Sequence, residues 1–175
     1  MPANLVTLDR RAFYDLSTIR AALARSEKLS NLATLFALFR VGSLARTRIV
    51  ARVAAELGAR VSRIRPLVKV YRGTLSKMRV RVWHGFAARL RWLEAPTVVK
   101  ARHPRARFMR LADGYEGLFH EHPSGKLTEA TVSIEPAVEA HAEPICGEVF
   151  DLRFADLYWR DYERRLRSRG WRPGG

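Results

Sequence analysis

The stretch LVKVYRGTLSKMRVRVW, residues 67–83, decides the fold, because apolar and charged side chains alternate along most of it. Residues 67–72 and 77–83 each have a period of two, which is typical of a strand with one buried and one solvent-facing side. Residues 73–76 separate the two runs, so we predict a β-hairpin. The solvent-facing side of its second strand is predicted to be cationic and to carry Lys77, Arg79, Arg81 and Trp83.

Two helices are predicted before this hairpin. Residues 8–23 have apolar side chains three and four positions apart, which is the spacing of one helix face. Residues 30–57 form a second, longer and strongly basic helix, with Ser30 as its N-cap and Gly58 as the glycine that ends it. Gly42 interrupts this helix and indicates either a close packing contact or a bend.

Shorter strands are predicted after the hairpin. Asp113-Gly114 is a hairpin signal, and Pro123-Ser124-Gly125 predicts the next turn. The predicted strands lie at residues 86–92, 97–101, 106–111, 115–120 and 127–134.

A final helix is predicted at residues 150–169, where apolar residues recur at helical spacing, and residues 135–147 are predicted to be an irregular arm or a short helix. The fold class is therefore α+β, with N-terminal helices, a central and mainly antiparallel sheet, and a closing C-terminal helix. The 175 residues are expected to form a single domain. Its predicted parts are an N-terminal helix or arm (1–29), a core of helix and sheet (30–136), an acidic arm (137–149) and a C-terminal helix (150–170).

The charge of the chain is divided between two stretches. Residues 1–110 contain 24 basic and 5 acidic residues, whereas residues 111–175 contain 8 basic and 12 acidic residues. The net charge is +15 and the isoelectric point is about 11.2. Such a chain is suited to a polyanion and to another copy of itself, although basic helices can also simply solvate a surface.

Catalytic motifs are absent from the sequence. We find no phosphate-binding glycine loop and no arrangement of nucleophile and base that spacing supports, so we expect no enzyme and no cofactor. His120 and His122 could begin a metal site, but no third ligand is obvious nearby apart from Glu116 or Glu121, so we favour an exposed polar turn. Cys146 is the only cysteine and has no neighbouring cation that would activate it. With no apolar stretch long enough to span a bilayer, we expect a protein of the cytoplasm, or of a particle assembled there, and no membrane partner.

Aromatic and arginine residues are interleaved after the hairpin. Trp83, Phe86 and Trp92 alternate with arginines, an arrangement that can stack the bases of a single-stranded nucleic acid. The alternative is that the aromatic rings face the core while the arginines face water, as a two-residue period naturally produces. We favour the second interpretation, since no known base-reading motif accompanies the pattern.

Four segments together resemble a known family. They are ALFRVGSLARTRIVARVAAELG (37–58), VSRIRPLVKVYRGTLSKMRVRVWHG (61–85), RFMRLADGYEGLFHEHPSG (107–125) and LTEATVSIEP (127–136). In this order they resemble the minor tail protein Z family, the tail completion proteins of bacteriophages and prophages with long non-contractile tails. The likeness covers residues 32–136.

This resemblance implies a structural virion protein that completes the head-proximal end of the tail at the head–tail junction, or neck. It also implies a homo-oligomeric ring, with the six-fold symmetry of tails, around the DNA path. The implied neighbours are a tail terminator, the tail tube or a connector, with non-specific contact to phage DNA and assembly in the cytoplasm of the bacterial host. The alternative is a sequence-independent, basic nucleic-acid-binding protein.

Two sets of charged residues are candidates for these contacts. Contacts of arginines with DNA phosphates would be independent of sequence, and a ring interface needs two unlike faces. The candidate basic residues facing a DNA lumen or a partner are Arg40, Arg48, Arg52, Arg79, Arg81, Arg89 and Arg91. The candidate acidic residues of a subunit interface are Glu135, Glu139, Glu143 and Glu148.

Overall fold

The computed structural model describes the backbone of residues 10–84 and 88–169 and the side chains of residues 24–82 and 88–169. Long helices lie at both ends of the described chain, and short antiparallel strands lie between them, so the predicted α+β class is confirmed. The elements are α1 Arg10–Glu56, α2 Val61–Ile64, β1 Val68–Thr74, β2 Lys77–His84, β3 Arg89–Arg91, α3 Pro96–Arg102, β4 Arg107–Arg110, β5 Glu116–Glu121, β6 Leu127–Glu129, β7 Thr131–Ser133 and α4 Glu135–Arg167.

Helix α1 is one continuous helix of 47 residues, and the prediction of two helices with a break before Ser30 is wrong. The residues across the predicted break include Ala24, Arg25, Glu27, Lys28 and Leu29, which are strong helix formers. The Ser30 hydroxyl does not cap a helix and instead forms a 2.9 Å hydrogen bond with the Tyr158 hydroxyl.

The end of α1 matches the prediction at Gly58. Gly58 has a φ of 56°, the left-handed conformation that favours glycine. The Ala59 N–H donates to the Ala54 carbonyl at 2.9 Å, and the Gly58 N–H donates to the Ala55 carbonyl at 3.3 Å. This pair of bonds is a Schellman motif, which satisfies carbonyls that the last turn leaves without partners.

The β1–β2 hairpin is confirmed and packs on α1 at Gly42. A Cβ atom at Gly42 would lie 2.5 Å from Val80 Cγ2, so glycine permits the close packing contact that was one of its two predicted roles. The Arg46 guanidinium also ties the hairpin to α1, because it donates to the carbonyls of Arg65 and Val68 at 2.6 Å each. The hairpin is therefore seated on the helix by its apolar side.

The remaining strands form two further small antiparallel sheets. Strands β4, β5 and β6 form one, as the turn signals predicted, and β3 pairs with β7 in the other. The predicted strand at residues 127–134 is divided at Ala130, whose N–H donates to the Leu118 carbonyl, so its two halves join different sheets. The predicted strand at residues 97–101 is wrong, because Pro96 begins helix α3 there.

Helix α4 begins at Glu135 and has 33 residues. The prediction of an irregular arm or a short helix at residues 135–147, which overlaps the acidic arm (137–149), is therefore wrong. Pro136 lies in the first turn, where the missing N–H has no intrahelical partner in any case. Pro144 lies inside the helix on an exposed side. The opposite side is held by burial of Val138 and Val149 against the core, which overrides the local preference of proline.

Helices α1 and α4 pack antiparallel, with contacts from Ser26 to Glu56 of α1. Ser26 contacts Tyr162, whereas Arg48, farther along α1, contacts Glu148, which is earlier in α4. The core lies beneath this pair and the small sheets. Its largest fully buried side chains are Ile49, Ile64, Leu90, Ile134, Val50, Val53, Val68, Val99 and Val149.

Candidate interaction surfaces

The outer side of the β1–β2 hairpin is a continuous cationic surface, which we call the hairpin face. Direct pairing of Tyr71 with Arg81 places these two side chains on the same side of the hairpin, away from the valines that pack on α1. A shallow groove of about 420 Å³ lies here. The exposed side chains of the hairpin face are Lys69, Tyr71, Lys77, Arg79 and Arg81.

The hairpin face contains two of the predicted basic residues, Arg79 and Arg81, without acidic neighbours. Within the described part of the chain, no carboxylate forms an ion pair with either of them or with Lys69 or Lys77. Cations on an exposed strand, spaced at every second residue, can contact successive phosphates without reading a base sequence. The face is therefore chemically suited to a polyanion.

A second basic surface lies at the seam between α1 and α4, and we call it the α1–α4 groove. Its volume is about 480 Å³. The residues that line it are Phe36, Arg40, Ser43, Leu44, Thr47, Leu157, Arg160, Asp161 and Arg164. Arg40 is one of the predicted basic residues, whereas Arg160 and Arg164 were not predicted as candidates.

Asp161 is a buried carboxylate at the α1–α4 groove, with 2 % of its surface exposed. The guanidinium groups of Arg164 and Arg165, on the next turn of α4, both donate to it. The guanidinium carbons of Arg40 and Arg164 each lie 5.5 Å from the centre of the Phe36 ring. Such contacts hold the arginines in place by charge and by cation–π attraction.

Arg48 and Glu148, predicted on opposite sides of a subunit interface, bind each other in the same chain at 2.8 Å. His141 of α4 and Glu56 of α1 form a second contact between the helices at 2.9 Å. The first half of α4 therefore complements part of the basic helix within one chain. Arg52 is exposed and forms no ion pair among the described side chains.

Arg89 and Arg91 lie on β3, away from the hairpin face. Arg91 is 3.7 Å from Glu129, and its guanidinium lies 5.9 Å from the centre of the Tyr115 ring. The Tyr115 hydroxyl donates to the same carboxylate, and this hydrogen bond is the main cause that raises the pKa of the phenol. The hydrogen bond with Tyr115 is the main cause that raises the pKa of Arg91, and the negative charge of Glu129 raises it further. Arg91 is thus held by residues of its own chain, whereas Arg89, which is also exposed, forms no ion pair among the described residues.

Among the remaining predicted acidic residues, Glu139 and Glu143 are exposed and lie one turn apart on α4. Glu135 is partly buried in the first turn of the helix, where a negative charge complements the helix dipole. None of the three forms an ion pair with another described residue.

Of the three aromatic residues interleaved with arginines, Trp92 has a side chain that the structure describes. Trp92 is partly buried against the core, and its ring packs edge-on against Phe108 at 5.0 Å. This agrees with the interpretation that we favoured. Phe86 and the side chain of Trp83 lie outside the described residues.

The histidine cluster is held by hydrogen bonds to protein groups. His103 Nε2 lies 2.9 Å from the Thr131 carbonyl, so it must donate there, and His103 Nδ1 can then accept from His120 Nε2 at 3.0 Å. His122 bonds Ser124 at 2.8 Å. The side chains that the structure describes include no group of three ligands suited to a metal ion. Burial raises the pKa of the Cys146 thiol.

An aromatic ladder on α4 was missed in the sequence. Phe150, Phe154, Tyr158 and Tyr162 recur every four residues, and successive rings stack at 4.7, 6.2 and 5.7 Å. The two tyrosine hydroxyls bond Ser30 and Ser26 of α1 at 2.9 Å. The four-residue spacing of the rings is the signal that could have revealed it.

Comparisons with protein families, with curated proteins and with solved structures find no match to this chain. Across the described residues, no helix has the length and apolar character needed to cross a membrane.

Proposed function

We propose that this chain is a structural virion protein of a long-tailed bacteriophage, which completes the head-proximal end of the tail at the head–tail junction. In this proposal it belongs to an oligomeric ring around the DNA path and contacts a tail terminator, the tail tube or a connector. It acts in the virion after assembly in the host cytoplasm. It has no catalytic role and needs no cofactor.

The hairpin face is the observation that carries this proposal. It combines exposed cations with an absence of described acidic partners, and it is seated rigidly on α1 through Gly42 and Arg46. A protein that borders passing DNA needs contacts that attract phosphate without binding one sequence. The resemblance of residues 32–136 to the minor tail protein Z family independently supports the same placement.

Deleting the gene from the phage or prophage that carries it tests the proposal. We expect electron microscopy of the lysate to show separate filled heads and tails, because tails without a completed end cannot join heads. Supplying the wild-type chain in trans should restore joined particles, and an epitope-tagged copy should label the neck. Normal joined particles after deletion, or label elsewhere in the virion, would contradict the proposal.

The hairpin face also favours the second candidate, a sequence-independent nucleic-acid-binding protein outside any particle. That function predicts duplex binding by the isolated chain with a steep dependence on salt concentration. It also predicts no chain in purified virions. Quantitative detection of the chain in virions separates the two candidates, since both allow DNA binding in vitro.

A further inference from the structure

Three acidic residues of α4's first half and of the sheets before it form ion pairs within the chain. Glu148 binds Arg48, Glu129 binds Arg91, and Glu116 lies 3.6 Å from Arg110. Several carboxylates of α4, among them Asp151 and Asp156, are exposed without an ion-pair partner in the described residues. Glu139 and Glu143 share this property and lie one turn apart in the first half of the helix. They form a short acidic side of α4.

The α1–α4 groove has the complementary property. Arg40 and Arg160 are exposed at its edge, and no described carboxylate forms an ion pair with either. Phe36, Leu44 and Leu157 give it an apolar lining. Two cations beside a concave apolar surface suit the side of a helix that carries carboxylates, because the helix can bury methylene groups while its charges are paired.

The acidic side cannot reach the groove of its own subunit. Glu143 and Arg160 lie on the same helix, 17 residues apart, and a helix rises about 1.5 Å per residue, which separates them by roughly 25 Å. Any ion pair between these two surfaces therefore requires a second copy of the chain.

We propose that the α1–α4 groove binds the acidic side of α4, Glu139 and Glu143, from a second copy of this chain. The inference deepens the proposed function, on which it rests, by naming the two faces of the subunit contact. The two surfaces lie on different parts of the molecule, so the contact is heterologous. Repetition of a heterologous contact produces a ring when the rotation between copies closes.

DNA is the less suitable occupant of this groove. Its backbone offers phosphates but no apolar side to cover Phe36, Leu44 and Leu157, and the Asp161 carboxylate lies beside it. The lining of the hairpin groove includes Arg72, Lys77, Arg79 and Arg81 and, among the described residues, no carboxylate, so it suits phosphates better. The two basic surfaces therefore have different partners: a second subunit for the groove and DNA for the hairpin.

Charge reversal with rescue tests the inference in the purified full chain. One variant combines Glu139→Arg and Glu143→Arg, a second combines Arg40→Glu and Arg160→Glu, and a third carries all four changes. A control, Lys100→Glu with Arg102→Glu, repeats the charge change of the second variant on exposed α3. Analytical ultracentrifugation measures the concentration at half-assembly, and circular dichroism verifies folding.

We expect each reversed pair to raise the concentration at half-assembly about tenfold or more, since like charges then face each other. The fourfold variant should return to near the wild-type value, and the control should remain there. Wild-type behaviour of both reversed pairs would overturn the inference. So would a folded fourfold variant that assembles no better than they do, or a wild-type chain that stays monomeric at every concentration.

A disulfide cross-link locates the contact directly. Glu143→Cys in one copy and Arg160→Cys in another, both with Cys146→Ser, should join on mild oxidation only when the two are mixed. Absence of this cross-link in an assembled sample would also overturn the inference. The gene-deletion experiment tests the proposed function separately. Unjoined heads after deletion, together with charge-reversal variants that assemble like the wild type, would contradict only the groove contact. Normal joined particles after deletion would contradict only the tail function.

Discussion

The hairpin face and the α1–α4 groove are both rich in arginine, yet their surroundings differ. Arg79 and Arg81 project from a strand with no described acidic partner. Arg164 lies between a buried carboxylate, Asp161, and the ring of Phe36. A cation with no fixed partner can attract a mobile polyanion, whereas a cation held by neighbours shapes a specific site. Position in the fold, and not charge density along the chain, thus separates the two surfaces.

The largest expected effect comes from unseating the hairpin face. Gly42→Leu places a side chain where even a Cβ atom would be 2.5 Å from Val80 Cγ2, and overpacking of this kind costs about 3 kcal/mol. The control is Gly147→Leu, since a Cβ atom there meets nothing within 4 Å. Urea unfolding measures both free energies. Equal stabilities would show that the hairpin does not depend on this close contact.

The next largest effect is expected when the buried carboxylate at the α1–α4 groove is removed. Asp161→Ala should lower the free energy of unfolding by about 2 kcal/mol, because hydrogen bonds from Arg164 and Arg165 to a charged group are lost. Asp156→Ala, at an exposed position of the same helix, should change stability little. Thermal or urea unfolding of the two variants makes the comparison. A loss as large in Asp156→Ala would contradict the special role of the buried carboxylate.

A smaller effect is expected on DNA binding when the hairpin face loses charge. Arg79→Gln with Arg81→Gln should reduce the slope of log K, the logarithm of the DNA-binding constant, against the logarithm of salt concentration by about 2. The reason is that two phosphate contacts are lost and each contributes about 0.9 to the slope. Lys100→Gln with Arg102→Gln removes the same charge from α3. Fluorescence anisotropy with a labelled duplex at several salt concentrations measures the slopes. Identical slopes for the two double variants would assign DNA binding to net charge alone.

The smallest effect is expected when a hydrogen bond between α1 and α4 is removed. Tyr158→Phe should cost about 1 kcal/mol, because it removes the hydroxyl that bonds Ser30 at 2.9 Å. A double-mutant cycle with Ser30→Ala tests this bond, and the two changes together should cost less than their sum. Strictly additive losses in urea unfolding would show that the hydroxyls do not interact in solution.

Local patterns in the sequence predicted the sheet region well. The alternation in residues 67–83 indicated the hairpin and its cationic side, and the glycines at 58, 114 and 125 marked turns or ends where the backbone does have positive φ. These signals work because a two-residue period and a left-handed glycine are properties of the chain itself. The helix starts predicted at Ser30 and Phe150 were wrong. Strong helix formers continue α1 across the first position, and burial of α4 against the core outweighs the proline signal before the second.

The site was only partly predictable for the same reason. Arg79 and Arg81 share a face by strand geometry, so the sequence could group them. Arg48 and Glu148, 100 residues apart, are neighbours only because α1 and α4 pack antiparallel. The four-residue spacing of Phe36 and Arg40 on α1 is local, but nothing local in the sequence indicates that Arg164 lies over the same ring.

The sequence by itself determined the fold class, the hairpin with its cationic side, and the division of charge along the chain, because these depend on residue type and spacing. Only the tertiary structure decided which charges meet within one subunit and which remain exposed for a partner. The physical reason is that ion pairs act over a few ångströms in space, and the packing of two long helices sets those distances.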